Sequence, residues 1–395
     1  MYRVLWLLGV SVLALLAVGV LVLASAGSEN GLEIYHNSYH FVTRQCVFLA
    51  VGLVALIGAA YFDYHKWREL PWLTILFYVG VIGLMCAVFL FEPVKGSRRW
   101  IPVGPIRLQP SELGKLASVI VTAAYLDWAG WRIKKFWTGA CRAVLLVGVL
   151  MALALGEPDF GATVVMGGTA AVLFLVMGMK WVHLISLGLL GLIPVTALLI
   201  SNKNRMNRIF SWVKGWFGQA MADGTLATMS EKEKAAEYQV QNALIAIKNG
   251  GVTGVGFNQS KQKLSYLPEA HTDFIFAIGA EEWGLIFSLL LLALYLTIFA
   301  CGLIIAARAP DRLGKLIAYG ITFLIVFQAL FNLGVVTKCL PTKGIALPFI
   351  SYGGTNLITA LIEIGILFNV GRQIELPKLR PRSTISPLFQ LQGGY

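Results

Sequence analysis

"LPEAHTDFIFAIGAEEWG" occupies residues 267–284, and "LIFSLLLLALYLTIFACGLIIAAR" carries it on to residue 308. The joined stretch places Asp273 at the head of an apolar run over 274–307, longer than the roughly twenty residues that cross a bilayer. Such a run reads as a spanning helix. It also raises a question, because a carboxylate at membrane depth is costly unless paired, and here Asp273 stands at the mouth of the span with Glu281 and Glu282 further in.

The rest of the chain has the same character. Of 395 residues, 57% are hydrophobic and only 13% charged, where a soluble domain carries roughly a quarter charged residues; the mean hydropathy is +0.73. The class is all-α, a polytopic integral membrane protein of about ten transmembrane helices. The expected spans are 4–26, 41–62, 72–91, 110–128, 142–157, 160–179, 182–201, 274–307, 315–337 and 356–371. Residues 1–371 then form a single transmembrane domain, with 202–272 a large extracytoplasmic loop between spans seven and eight and 372–395 a cytoplasmic tail. "LASAGS" ends the first span with an Ala-x-Ala pattern, but that apolar stretch is long for a signal peptide and more membrane follows. The five cysteines (46, 86, 141, 301, 339) show no paired spacing and read as apolar packing.

An even number of spans puts both termini on one side. With the termini inside, the inner segments hold Arg3, Lys66, Arg68, Arg132, Lys134, Lys135, Arg142 and Lys180, and later Arg308, Arg312, Lys315 and Arg372. That satisfies the positive-inside rule once the long segment 202–272 is set aside, since long loops are translocated largely regardless of charge. The remaining outer cations concentrate in "KGSRRWIPVGPIRLQPSELGK": Lys95, Arg98, Arg99, Arg107 and Lys115. Two readings stay open for them, an outer site for a phosphate-bearing lipid or polymer and snorkelling to lipid headgroups.

Several loops are more than connectors. In the 202–272 loop, residues 209–217 place Ile209, Phe210, Trp212, Val213, Trp216 and Phe217 on one face of an interfacial or protein-packed helix. Ser230 and Glu233 form a capping box opening a helix that Gly250 and Gly251 would end. The following "NGGVTGVGFNQSKQK" could bring backbone amides to a ligand or be a plain connector. "LPTKGIALPFISYGGT" (340–355) is apolar yet broken by prolines and glycines. Non-helical backbone at such depth must be buried in protein or line a wet cavity, so with Lys338 and Lys343 it reads as a re-entrant cover over a polar cleft.

Among the ionisable residues, Glu112 and Lys115 share a face in the first turn behind Pro110 and read as a pair. Asp273 and Asp159 could each be helix caps or functional carboxylates. If the helix begins at Asp273, Glu281 and Glu282 project about 80° and 180° away from it, so at least one must bond to a neighbouring span. Glu363 is a further buried carboxylate.

"RRW…QPSELGK", "EPDFG", "YQVQNALIAI…KLSYLPEAHTDFIFAIGAEEWG" and "LPTKGIALPFISYGGTNL" together resemble, in order and spacing, the signatures of the SEDS family (shape, elongation, division and sporulation) over residues 40–371. "TKG" before "ALPFISYGG", with "YQVQNALIAI", is more similar to the division member than to the elongation member. The segment 218–237 is longer than the usual link. The resemblance implies a ten-helix peptidoglycan glycosyltransferase in the bacterial cytoplasmic membrane, acting on lipid II and a nascent glycan strand at the outer face. It also implies a class B penicillin-binding protein as transpeptidase partner, other division proteins and membrane lipid around it, and no nucleic acid. Asp273 corresponds to the catalytic aspartate. Arg99 and Trp100, followed by Gln109, Ser111, Glu112 and Lys115, match the motif between the third and fourth spans. Arg98, Lys338, Lys343, Ser351 and Gly353 are further substrate-binding candidates, with Asp159, His271, Glu281 and Glu282 supporting.

The chemistry is consistent with these residue types. A glycosidase needs two carboxyls because its leaving alkoxide must be protonated; a lipid diphosphate leaves without that help, so one carboxylate acting as general base on the acceptor hydroxyl suffices. Cations would hold the diphosphate, and a divalent ion, Mg or Mn, could share that work. The alternatives are a transporter flipping a lipid-linked precursor, a class that also uses broken helices and intramembrane carboxylates, the elongation-type polymerase, and a scaffold that recruits division proteins.

Overall fold

The computed structural model describes residues 1–93, 98–104, 106–200, 231–263, 271–341 and 344–375. Its helices, in chain order, are α1 (Tyr2–Ala26), α2 (Ser28–Tyr35), α3 (His40–Tyr61), α4 (Lys66–Glu69), α5 (Pro71–Ala87), α6 (Pro110–Ala129), α7 (Cys141–Gly156), α8 (Phe160–Val176), α9 (Trp181–Ile200), α10 (Glu231–Gly250), α11 (Ile275–Arg308), α12 (Arg312–Val336) and α13 (Gly354–Gln373). Every one of the ten apolar segments coincides with a helix. Among the described residues, seven helices are long and apolar enough to cross a membrane alone, while α8 is a shorter apolar helix. α6 carries Glu112, Lys115 and Asp127 and is buried along most of its length. Between α5 and α6 a small hairpin pairs β1 (Ile101–Val103) antiparallel with β2 (Ile106–Leu108), Ile101 opposite Leu108.

In a bilayer every backbone polar group must be satisfied within the protein, which is why the spans are helical. Lipid-facing helices α3 and α5 expose Val54, Ile57, Ile75 and Leu76, whereas α6, α12 and α13 lie inside. α13 packs along α3, and α12 touches α6, α8, α11 and α13. Small residues permit this close packing: a Cβ on Gly365 would meet Ala59 and the Leu56 carbonyl, and one on Gly320 would meet Val119.

α11 differs from its expected form in two ways. It begins at Ile275, with Phe274 at the N-cap position, so Asp273 lies ahead of the helix and does not cap it. It also breaks at Gly284, whose φ of 69° and ψ of −156° are accessible to glycine and strained for other residues. The loop after α10 repairs the break. Val255 and Gly256 donate backbone N–H to the Glu281 and Glu282 carbonyls, both at 3.0 Å, and Leu285 donates to the Gly251 carbonyl at 3.0 Å. The glycine-rich loop therefore spends these amides on a helix and not on a ligand. Gly251, with φ of 51°, ends α10 as expected; Ser230, the 209–217 face and most of the 218–237 insertion lie outside the described residues.

Glu281 and Glu282 turn to different partners. Glu281 accepts from Ser260 Oγ, from Gln262 N at 3.3 Å and from Asn249 Nδ2 at 3.4 Å. Glu282 accepts from Ser25 Oγ at the end of α1 and lies 3.7 Å from Lys263 Nζ. Lys263 in turn donates to Ser25 Oγ at 3.0 Å and to the Asn258 carbonyl at 2.9 Å. This buried network ties α1, the loop and α11 together, and both glutamates bond within the framework.

Candidate active site

Asp273 sits half-buried in the turn 271–274 that precedes α11. Three consecutive carbonyls of this turn accept hydrogen bonds: His271 O from Tyr352 N at 3.0 Å, Thr272 O from Ser351 Oγ at 2.7 Å, and Asp273 O from Asn332 Nδ2 at 2.9 Å. The donors come from two places, the non-helical segment before α13 and the C-terminal end of α12. A segment without a helical ladder is thus held in register by partners outside it.

The opposing segment, 344–353, is anchored as thoroughly. Asn332 Nδ2 also donates to Ile345 O at 2.6 Å. Gln328, one turn earlier on α12, donates to Ala346 O and to Asn356 Oδ1, both at 3.0 Å. Tyr295 of α11 donates to Pro348 O at 2.6 Å, and Gln45 of α3 donates to Ser351 O at 3.2 Å and accepts from Gly353 N at 3.4 Å. Leu347, Phe349 and Ile350 are buried, as a re-entrant segment requires. The result places Gly344 directly against the Asp273 carboxylate, where a Cβ would overlap Oδ2 and lie 3.0 Å from Cγ.

Lys115 also reaches this anchor. It forms an ion pair with Glu112 at 2.8 Å and donates to Gln328 Oε1, with Glu363 buried in the same region of α13. Glu112 and Lys115 thus form the pair that their spacing suggests.

A second constellation forms where α7 meets α8. Asp159 is the N-cap of α8, accepting from Ala162 N at 3.2 Å through Oδ1, while Oδ2 accepts from Gln109 Nε2 at 3.2 Å and Ser111 Oγ at 3.1 Å. Of the two readings of Asp159, the cap is what the structure shows, and the same side chain also joins Gln109 and Ser111. Arg99 donates from Nε to Glu157 O at 3.1 Å and from a terminal nitrogen to Pro158 O, so its guanidinium holds the "EPDF" loop. Glu157 escaped the sequence reading. It is fully buried, neither carboxylate oxygen has a hydrogen-bond partner, and burial together with the charge of Asp159 pushes its pKa up to about 8.

The other candidates fall as follows. Lys338 forms a 2.6 Å ion pair with Glu237 of α10. Ser351, read as facing substrate, is 1% exposed and binds Thr272 and Leu347 backbone. Gly353 is the N-cap of α13. Arg98 is exposed and donates to Phe89 O at 3.3 Å, and Trp100 is half-buried. His271 packs 4.4 Å from the Phe41 ring and lies 3.3 Å from Asn30 Nδ2. Lys343 lies outside the described residues. Two cations stand near the turn instead. Arg44, missed in the sequence as a lone cation at the start of a span, hydrogen-bonds Tyr352. Arg107 on β2 adds its charge beside the same tyrosine, and its carbonyl accepts from Thr355 Oγ1 at 3.3 Å. Arg44 is half-buried and Arg107 exposed. Among the described residues no group of three or more His, Cys, Asp or Glu side chains is placed to hold a metal ion.

The fold and site define a polytopic membrane protein in which the half-buried Asp273 is pinned between a broken helix and a non-helical segment. The cell cycle protein model that unites FtsW, RodA and SpoVE matches residues 5–375. A probable peptidoglycan glycosyltransferase FtsW of Geobacter metallireducens is 35% identical over 92% of this chain and 93% of its own. Stage V sporulation protein E of Bacillus subtilis is 36% identical over 93% and 96%. Among solved structures, a chain of a peptidoglycan synthase complex that coordinates polymerization and crosslinking superposes with a TM-score of 0.73 at 26% identity, covering 94% of this chain and 98% of that one. The rod shape determining protein RodA of Thermus thermophilus superposes with a TM-score of 0.66 at 27% identity, covering 94% and 97%. The chain belongs to the FtsW/RodA/SpoVE family, also called SEDS.

Proposed function

We propose that this chain is a peptidoglycan glycosyltransferase of cell division that polymerises lipid II, with Asp273 as the general base. The observation that carries the reading is the clamped turn: three consecutive carbonyl bonds and a glycine contact fix a half-buried carboxylate at the head of a spanning helix. The names of its relatives supply the class of reaction.

In this reading the 4-hydroxyl oxygen of the acceptor sugar attacks the anomeric carbon of the donor. The carbon–oxygen bond to the lipid diphosphate breaks with inversion, and the hydroxyl proton passes to the Asp273 carboxylate. The diphosphate leaves with its negative charge, which Arg44 and Arg107, both beside Tyr352, would stabilise; Arg99 and Lys338, candidates from sequence, bond the Glu157 and Pro158 carbonyls and Glu237. A divalent ion, Mg or Mn, would share the charge of the diphosphate with these side chains. The site faces outward, both termini lie on the cytoplasmic side, and a class B penicillin-binding protein crosslinks the product. The runner-up, a lipid flippase, leaves the rigid clamp around Asp273 without a purpose, because alternating access calls for moving elements.

The test is polymerisation of lipid II by the purified protein with its penicillin-binding partner, resolving glycan chains on a gel. Wild type is expected to make polymer and Asp273→Asn to lose it, a drop of about 10²–10⁴ in rate for a missing general base, while still binding lipid II. Retained polymerisation in Asp273→Asn overturns the reading.

A further inference from the structure

We infer that Asn332 is a positioning residue for Asp273, an assignment that rests on Asp273 being the base. Asn332 lies on the last turns of α12 and is 2% exposed. Its one side-chain nitrogen bridges two backbone carbonyls from segments far apart in sequence, Asp273 O at 2.9 Å and Ile345 O at 2.6 Å.

The orientation of this amide is fixed by chemistry. Its nitrogen carries two donor hydrogens and its oxygen only accepts; turned over, the oxygen would face two carbonyl oxygens with no hydrogen between them. Both donors are therefore used on the bridge, at the expense of Asn332 Oδ1, which is buried without a hydrogen-bond partner. A side chain kept only to fill a helix interface would be apolar, since burying an unsatisfied acceptor is unfavourable.

The bridge sets the distance between the two walls of the site. Ile345 is adjacent to Gly344, and Gly344 is the residue whose backbone lies against the Asp273 carboxylate. Ser351 closes the same ring from the other side, accepting from Leu347 N at 2.8 Å and donating to Thr272 O. With Asn332 in place, the carboxylate has one wall and one depth; without it, the turn and the re-entrant segment lose their shared tether and the base can retreat from the acceptor hydroxyl. Misplacement of a reacting group by about 1 Å costs on the order of a hundredfold in rate.

Asn332 therefore acts on kcat and not on substrate capture. The experiment measures lipid II polymerisation by the full chain with its penicillin-binding partner for wild type, Asn332→Leu, Asn332→Asp and Asp273→Asn, together with thermal unfolding of each. Both Asn332 variants are expected to lose kcat by about a hundredfold, with KM changed less than about twofold and the unfolding midpoint close to wild type. A merely structural role predicts a lower midpoint with kcat per folded molecule intact, and that pattern overturns the inference, as does wild-type kcat in Asn332→Asp. If both variants fail to fold, Ser351→Ala, which removes the Thr272 tether together with the bond from Leu347 N, decides: lowered kcat at constant KM sustains the clamp, and unchanged kcat overturns it. Full activity in Asp273→Asn would instead refute the base assignment itself, a separate outcome visible in the same assay.

Discussion

Gly344 leaves no space between its own backbone and the Asp273 carboxylate: a methyl group there would overlap Oδ2. The two residues come from segments 71 positions apart in sequence, brought together by hydrogen bonds from α12 and from the residues preceding α13. Gly344 is itself exposed, so its requirement for glycine comes from the carboxylate and not from burial.

Gly344→Ala is accordingly expected to displace the Asp273 side chain and lower polymerisation by about tenfold or more, as misplaced catalytic groups do, while the unfolding midpoint stays near wild type. Lipid II turnover beside a thermal melt checks this. Wild-type turnover would mean that the carboxylate has another productive position.

Much of this was legible in the sequence, and the parts that were not share a physical reason. The spans declared themselves by length and apolarity, and the Glu112–Lys115 pair by spacing. Asp159 was readable as a cap. Asn332, Gln328 and Gln45 were invisible, because a neutral amide in an apolar run carries no charge signal and its partner is the backbone of a remote segment. The break at Gly284 was hidden for a similar reason: a lone glycine in a helical pattern is usually tolerated, and only the loop 251–256 docking against it makes the break stable. For Arg99 and Lys338 the sequence reveals charge but not the Glu157 and Pro158 carbonyls or the Glu237 carboxylate that they bond.

The reassigned cations give a split in kinetics. Arg44→Ala is expected to raise KM for lipid II by about tenfold, the loss of one charge-assisted contact of roughly 1.5 kcal/mol, with little change in thermal stability. Arg99→Ala, which frees the Glu157 and Pro158 carbonyls, is expected to lower the unfolding midpoint instead. Steady-state kinetics on both variants decide, and an Arg44→Ala enzyme with unchanged KM would move the diphosphate elsewhere.

The Lys263–Glu282 pair is buried, its side chains 4% and 1% exposed. Removing one partner of a buried pair costs about 3–5 kcal/mol because a charge is left behind. Lys263→Met is expected to destabilise the protein on that scale, and adding Glu282→Gln to recover most of the loss. Thermal unfolding of the single and double variants measures the recovery; equal midpoints for Lys263→Met and the double variant would show that Ser25 alone satisfies Glu282.

Glu157 makes stability depend on pH. Burial and the neighbouring Asp159 charge raise its pKa from 4.5 to about 8 in the folded protein, so between those values the folded state holds a proton that the unfolded state has released. Stability therefore falls as pH rises through this window, by at most about 1.4 kcal/mol per pH unit, and levels off once Glu157 ionises in both states. Below pH 4.5 the group is protonated in both states and contributes no slope. Glu157→Gln keeps the shape and removes the titration. The unfolding midpoint of wild type relative to this variant is expected to decline steadily from pH 5 to pH 8, and a difference that stays constant across that range would mean that Glu157 is ionised in the folded protein, with its charge neutralised by Arg99.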